Sequence, residues 1–303
     1  MQERFTLANG VSIPKIGLGT WRISDADVGR VVRDAIEIGY RHVDTAQAYG
    51  NERGVGEGLR ASGVSRDEIF VTTKLAAESK SYDDAVQRID GSLNALGLDH
   101  IDLMLIHSPQ PWSQFREGEH FFEGNAEAWR AMEDAYEAGK LRAIGVSNFE
   151  AADIDNLLNH GRVAPMVNQI LAHVGNTPFD LIAYSRSQNI LVEAYSPVAH
   201  GAVLNDQRLG EMAAGYGVGV AQLCIRYCLQ LGLLPLPKST SAAHIRANAE
   251  VDFVISEADM ERLSSVADSV DYGAASVFPV FGRRREAGGE RPAPAMPPPA
   301  ARA

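Results

Sequence analysis

Four side chains of different acid–base character stand at or just beyond the ends of short apolar runs: Asp44, Tyr49, Lys74 and His107. Asp44 closes the run 41–44 and opens the segment Asp44-Thr-Ala-Gln-Ala-Tyr49-Gly-Asn-Glu52; Lys74 closes 69–74 and His107 closes 101–107. A phenol held near an ammonium and a carboxylate can act as a proton donor, because its pKa moves from about 10 toward the working pH. Such chemistry requires that the ends of the three runs face one space. In a barrel of parallel strands they do, since side chains at the carboxyl ends of neighbouring strands converge on one mouth. No phosphate-loop motif and no cluster of metal-ligand residues competes with this set, and no metal is expected.

The rest of the chain supplies the elements such a mouth needs. Strand-like runs at 17–20, 41–44, 69–74, 101–107, 143–146, 166–169, 190–194 and 233–235 alternate with amphipathic segments. That alternation predicts a parallel sheet covered by helices, here a (β/α)8 TIM barrel. One helix is expected over 25–39, with Val28, Val31, Val32, Ala35 and Ile36 on one face and Gly39 placed to end it. Ahead of the barrel, Phe5-Thr-Leu7 and Val11-Ser-Ile13 flank Asn9-Gly10, the signal of a tight hairpin. A doubly wound sheet is the alternative and would carry a glycine-rich dinucleotide turn after its first strand. Gly17-Leu-Gly19 lacks the third glycine of that turn, which favours the barrel.

The 303 residues fit one barrel of about 250 residues with extensions. A net charge of −11 argues against nucleic acid as a partner. The opening Met1-Gln-Glu-Arg-Phe5 has no apolar core of a secretory signal, and no apolar run approaches the roughly 20 residues that span a bilayer. The expectation is a cytoplasmic protein with no membrane segment. Cys224 and Cys228, one helical turn apart, read as buried thiols in a reducing compartment rather than as a disulfide or metal site. Residues 1–282 form the expected barrel domain. Residues 283–303, rich in Arg, Pro, Ala and Gly, bury too little surface to offset ordering entropy and are expected to be a disordered tail. The tail carries a net +3, leaving −14 on the barrel.

Asp44, Tyr49, Lys74 and His107, in this order and context, resemble the catalytic tetrad of the aldo-keto reductases. The resemblance runs through Gly17-Leu-Gly-Thr-Trp21, Gly145-Val-Ser-Asn-Phe149, Val167-Asn-Gln169, Ala194-Tyr-Ser-Pro197, Pro237-Lys-Ser239 and Asn248, and so covers nearly the whole chain. Within the family it is similar to the small prokaryotic-type diketogluconate and methylglyoxal reductases. The resemblance implies NADPH-dependent reduction of a small carbonyl substrate, an aldehyde, ketone or dicarbonyl, by hydride transfer. It assigns Tyr49 as proton donor, Lys74 as the cation that lowers the phenol's pKa, Asp44 as the anchor of Lys74, and His107 as a hydrogen-bond partner of the substrate oxygen. It makes Tyr195 the platform for the nicotinamide and Ser147, Asn148 and Gln169 the carboxamide contacts, with Thr20, Ser196 and Pro197 alongside. Lys238, Ser239, His244 and Asn248 fall at the adenosine end. Trp21, Trp112 and Phe278 are the implied substrate-pocket residues, the hairpin caps the barrel's bottom, and a monomer is implied.

Departures from the family pattern carry information too. His244 stands where an Arg is usual, which keeps a ring for stacking but loses the guanidinium fork and most of the charge. Ala247 replaces a common Glu. NADPH remains favoured and NADH possible. Ser108 stands where many members have a second Trp, and Trp112 is expected to fill part of that space. The segment 108–122 reads as a loop over the mouth whose aromatics either line the pocket or dock the loop. The short loop after Pro197, with His200-Gly201, implies a reduced clasp over the pyrophosphate, and 273–281 is expected to wall the pocket with Phe278 and Phe281. Two other functions fit a barrel with these strings. One is a nucleotide-sensing regulatory subunit, resembling the barrels attached to potassium channels, with little or no turnover. The other is a barrel hydrolase or lyase, which would need a metal or a Schiff-base lysine.

Overall fold

The structure is a computed structural model that describes residues 3–266 and 271–281. The expected domain boundary at 282 and the tail 283–303 lie outside the described residues. Hairpin strands β1 (Arg4–Thr6) and β2 (Ser12–Pro14) pair antiparallel around the expected Asn9-Gly10 turn, with Phe5 opposite Ile13. Gly10 there has φ +85°, a conformation that favours glycine. Leu7 and Ile13 bury into the core, and Asn9 donates to the Arg142 carbonyl at 2.9 Å. The hairpin therefore closes the end of the barrel opposite the strands' carboxyl termini.

Eight parallel strands follow in sequence order: β3 (Leu18–Gly19), β4 (His42–Asp44), β5 (Phe70–Leu75), β6 (Leu103–Ile106), β7 (Ile144–Ser147), β8 (Val167–Leu171), β9 (Leu191–Tyr195) and β10 (Leu234–Leu236). Each pairs with the next. The Gly17 and Gly19 amides donate to the Pro235 and Pro237 carbonyls at 3.2 and 3.0 Å, joining the last strand to the first and completing the barrel. Gly17 is required: a Cβ there would lie 2.6 Å from His42 Nδ1, so its absence admits a buried imidazole into the barrel.

Helices α1 (Asp25–Ile38), α2 (Glu52–Ala61), α3 (Tyr82–Leu96), α4 (Phe122–Glu137), α5 (Ala151–His160), α6 (Phe179–Ser187), α7 (Gln207–Gly215), α8 (Val220–Gln230), α9 (Ala242–Ala249) and α10 (Glu257–Ser264) pack outside. In α1 the five residues expected on one face are the five that are buried, Ser24 caps the start by accepting from the Asp27 amide, and Gly39 ends it at φ +120°. Cys224 and Cys228 are buried on α8 as free thiols, and burial pushes the Cys224 thiol up to about 12. Among the described residues no helix is long and apolar enough to cross a membrane, and no group of three His, Cys, Asp or Glu is placed to hold a metal ion.

All eight strands shift at one or both ends from their expected ranges, and the largest shortening has a clear reason. The run 101–107 shortens to β6 because Ile101 makes only an isolated bridge to Leu141. The buried Asp102 carboxylate meanwhile accepts from the Val71 amide at 2.9 Å and pairs with Arg66 and Arg142, each at 2.6 Å. The side chain takes bonds that ladder carbonyls would otherwise supply, at the amino-terminal end of the strands.

Candidate active site

Alternation along the strands decides which side chains enter the barrel. Asp44 ends β4 and Lys74 lies near the end of β5. Their ends meet: Lys74 Nζ donates to Asp44 Oδ1 at 2.6 Å, to the Thr45 carbonyl at 2.9 Å and to Tyr49 Oη at 3.3 Å. Tyr49 comes from a 3-10 turn, Gln47–Tyr49, directly after β4. That turn is held by Gln47, which accepts from the Ala76 amide, and by the buried Asn51, which donates to the Thr20 and Ile23 carbonyls. The phenol thus meets the ammonium because the loop behind it is pinned at both ends.

His107 follows β6. Its ring lies 5.6 Å from that of Tyr49, edge-on at 75°, so the structure brings all four expected catalytic side chains together. Burial, then the Lys74 charge, holds the His107 imidazole well below its ordinary range. A neutral ring donates from one nitrogen only, and Nδ1 has no partner among the described residues. Lys74 is desolvated, yet Asp44 and Tyr49 outweigh that and keep its pKa above the usual lysine value. Tyr49 differs from the sequence expectation. Lys74 does pull the phenol down, but burial is the larger effect and the net direction is upward. The phenol is therefore held protonated, which is the form a proton donor needs.

The expected carboxamide contacts form a second network against the first. Gln169, on β8, donates through one nitrogen to Asp44 Oδ2 at 2.8 Å and to Glu193 Oε2 at 2.7 Å. Asn148 adopts φ +62° just beyond β7, donates to the His107 carbonyl at 3.0 Å and to Ser147 Oγ at 3.1 Å, and accepts from Tyr195 Oη at 2.7 Å. The Tyr195 ring is therefore fixed by its hydroxyl. Ser147 donates to the Gln169 carbonyl at 2.9 Å, and Thr20 donates to the Asp44 carbonyl at 2.9 Å, so both hydroxyls brace the site from within.

Past β9 the chain makes an unusual turn, with Ser196, Ala199 and His200 at φ +54°, +47° and +54° and Gly201 at +90°. Pro197 is buried within it, and Ser196 Oγ lies 3.1 Å from His200 Nε2. The His200 ring packs on Trp21 at 5.3 Å and on Phe281 at 4.3 Å, while Trp21 also meets Phe278 at 4.9 Å. The segment from Gly273 to Phe281 thus packs against both Trp21 and the turn after β9, and Phe281 lies 6.2 Å from Tyr195.

Just past the carboxyl end of β10, Lys238 is exposed, makes no ion pair among the described residues, and has its pKa lowered by partial burial and by Arg22. Ser239 accepts from the Ser241 amide at the start of α9, on which His244 is exposed and Asn248 buried.

The loop over the mouth resolves both readings of its aromatics. Trp112, in a turn Trp112–Gln114, meets His107 edge to face at 5.0 Å, whereas Phe115 is buried and packs on Trp112 within the loop. Two residues that sequence reasoning passed over hold this loop. Lys80 donates to the Ser108 carbonyl at 3.0 Å and to Asn125 at 2.8 Å, and Asn125 donates to the Pro109 carbonyl at 2.9 Å. Burial pulls Lys80 down to about 7. The third residue missed is Glu193, fully buried at the heart of the site. Its signal was available in the period of two: Glu193 precedes Tyr195 by two residues and so shares its inward face.

Over most of its length the chain matches known proteins. A model of the Aldo/keto reductase family matches residues 15–268. The chain is similar to glyoxal reductase of Bacillus subtilis, 37% identical over 268 residues that span 88% of this chain and 93% of that protein. It is equally similar to methylglyoxal reductase DkgA of Yersinia pestis, 37% identical over 263 residues, 86% of this chain and 91% of that protein. In structure it is similar to an aldo-keto reductase of Bombyx mori solved in complex with NADP, with TM-score 0.82 and 34% identity over 92% of this chain and 98% of that one.

Proposed function

The chain belongs to the aldo-keto reductase family, and on that premise we propose that it reduces small aldehydes, ketones or dicarbonyls to alcohols with NADPH. The observation that carries the reading is the position of Lys74 Nζ between Asp44 and Tyr49 in a buried setting. NADPH, when bound, supplies the hydride. Tyr49 holds a proton on Oη for the carbonyl oxygen, and Lys74, fixed by Asp44 and the Thr45 carbonyl, stabilises the phenolate left behind. Neutral His107 donates one hydrogen bond to that same oxygen and orients it. Trp112 and Trp21 border the space where the carbonyl would sit and exclude water from it.

Residues present suit the cofactor. Gln169 spends its side-chain nitrogen on two carboxyl groups, and its side-chain oxygen accepts no bond from the described residues. An acceptor facing the site fits a carboxamide amine. Tyr195, pinned through Asn148, offers a fixed ring, and the unpaired Lys238 with Ser239, His244 and Asn248 suits the anionic adenosine end. The relatives named for glyoxal and methylglyoxal favour short dicarbonyls as first substrates to test.

The test is oxidation of NADPH and NADH by the purified protein against methylglyoxal, an aromatic aldehyde, an aldose and a diketo sugar acid, with Tyr49→Phe alongside. Turnover is expected with NADPH, reduced about 10²–10⁴-fold in the variant, with cofactor affinity retained. Cofactor binding without turnover on any of these would instead support a nucleotide-sensing subunit.

A further inference from the structure

Glu193 enters the barrel from β9, opposite Gln169 in the β8–β9 register, and no part of it reaches solvent. Its Oε2 lies 2.7 Å from Gln169 Nε2, and its Oε1 has no partner among the described residues. The same Gln169 nitrogen lies 2.8 Å from Asp44 Oδ2. A primary amide has two N–H groups, and two carboxyl oxygens take both. The amide cannot then turn over without giving up both bonds and aiming its side-chain oxygen at Asp44 Oδ2 and Glu193 Oε2, contacts between acceptors.

We propose that Glu193 is a positioning residue: with Asp44 it locks the amide of Gln169, so that the Gln169 carbonyl oxygen alone faces the ligand and selects a cofactor whose ring substituent carries an amine. The inference rests on the reading of the site as one for a nicotinamide cofactor and goes beyond it in assigning what sets the direction of the contact. The charged groups nearest Glu193 are Asp44 on β4 and Lys74 on β5. Burial, with Asp44 adding to it, pushes the Glu193 carboxyl up to about 8. At neutral pH it is uncharged, and its carbonyl oxygen still accepts from Gln169. Either protonation state therefore keeps the lock, whereas an apolar side chain does not. With Glu193 removed, one N–H of Gln169 is left buried without an acceptor, and rotation of the amide to seek another loses the fixed acceptor.

The experiment compares binding of NADP with binding of its 3-acetylpyridine analogue, in which the carboxamide amine is replaced by a methyl group. Dissociation constants come from fluorescence titration of the wild type, Glu193→Gln and Glu193→Met. The wild type is expected to prefer NADP by about fivefold or more, the value of one hydrogen bond. Glu193→Gln keeps an acceptor at the same place and should keep that preference. Glu193→Met should bring the two affinities within about twofold of each other. Equal preference in Glu193→Met and the wild type would overturn the proposal, as would a loss in Glu193→Gln as complete as in Glu193→Met. A second measurement needs no change at Glu193 and stands if Glu193→Met does not fold. Both side-chain amide protons of Gln169, assigned in NMR spectra by their absence in Gln169→Leu, should exchange with solvent far more slowly than those of an exposed glutamine. Fast exchange of either proton overturns the lock. If the wild type binds neither NADP nor its analogue, the cofactor reading itself fails, while the exchange result still decides the arrangement of Gln169 and Glu193.

Discussion

Lys74 Nζ lies 2.6 Å from Asp44 Oδ1, and neither side chain is more than 5% exposed. The two partners are not equally replaceable. Without Asp44, the ammonium keeps the Thr45 carbonyl and Tyr49 Oη. Without Lys74, the carboxylate keeps only the Gln169 amide among the described residues, an uncompensated buried charge. Removing one partner of a buried pair typically costs about 3–5 kcal/mol. Lys74→Met should therefore lie at the upper end of that range and Asp44→Asn below it, read from urea unfolding at pH 7. Equal losses would mean that Thr45 and Tyr49 contribute nothing to holding the ammonium.

Buried imidazole gives the protein an acid sensitivity with a definite sign. His42 lies inside the barrel, bonded through Nε2 to Thr72 Oγ1 at 2.9 Å, and burial pulls its pKa down to about 3, with Lys74 and Arg4 adding to the shift. The unfolded chain binds this proton near pH 6.5 and the folded chain does not. The stability held in the neutral ring is fully present above about 6.5 and is lost as pH falls toward 3, by up to about 1.4 kcal/mol per pH unit. Glu193 works the other way, because its folded pKa is raised: its contribution is complete below about 4.3 and lost as pH rises through about 8. The two oppose each other in the wild type, so the check is a difference. Relative to wild type, His42→Gln should become progressively more stable between pH 6.5 and 4.5 in urea titrations; a constant difference would mean that His42 charges inside the fold.

Much of this architecture was legible because it rests on local signals. The α1 face, the Asn9-Gly10 turn and the eight strand runs each follow from period or turn chemistry within a few residues. The convergence of Asp44, Tyr49, Lys74 and His107 was legible for a related reason: three of them sit at or just beyond strand ends, and a barrel makes strand ends meet. What escaped was the polar interior. Lys80 binds a carbonyl 28 residues away and Asn125 one 16 residues away, contacts that only the closed barrel defines. The balance at Tyr49 escaped as well, since the proximity of Lys74 can be inferred from order along the chain but the depth of burial cannot.

The loop over the mouth divides its aromatics by burial, and substitution should separate them. Trp112 is half-buried and meets His107 edge to face, so Trp112→Ala should raise KM for the carbonyl substrate by about tenfold, in the range of about 1–3 kcal/mol for lost apolar contact, while NADPH affinity stays constant. Phe115 is buried and packs on Trp112, with ring centroids 5.6 Å apart, rather than on His107 or Tyr49. Phe115→Ala should instead lower unfolding stability by about 3 kcal/mol or more if the loop unfolds with the barrel. Steady-state kinetics and urea unfolding on the same two variants make the comparison. A larger KM effect from Phe115→Ala would place the substrate under the loop rather than at its Trp112 edge.

His244 sets the last expectation, at the adenosine end. It lies exposed in the first turn of α9, with Ser239 and the unpaired Lys238 just before the helix. An imidazole lacks the guanidinium's fork, which is always charged and matches phosphate oxygens. NADPH differs from NADH only in the 2′-phosphate, so the gain from Arg should fall on one cofactor and not the other. A charge-assisted hydrogen bond contributes about 1.5–3 kcal/mol, which corresponds to roughly 10- to 100-fold in affinity. His244→Arg should accordingly raise the ratio of NADPH to NADH kcat/KM by at least about tenfold, through KM for NADPH, with kcat unchanged. The ratio should also become more sensitive to salt, since an exposed charge pair is screened. An unchanged ratio in the variant would mean that the phosphate is gripped by Lys238 and Ser239 alone.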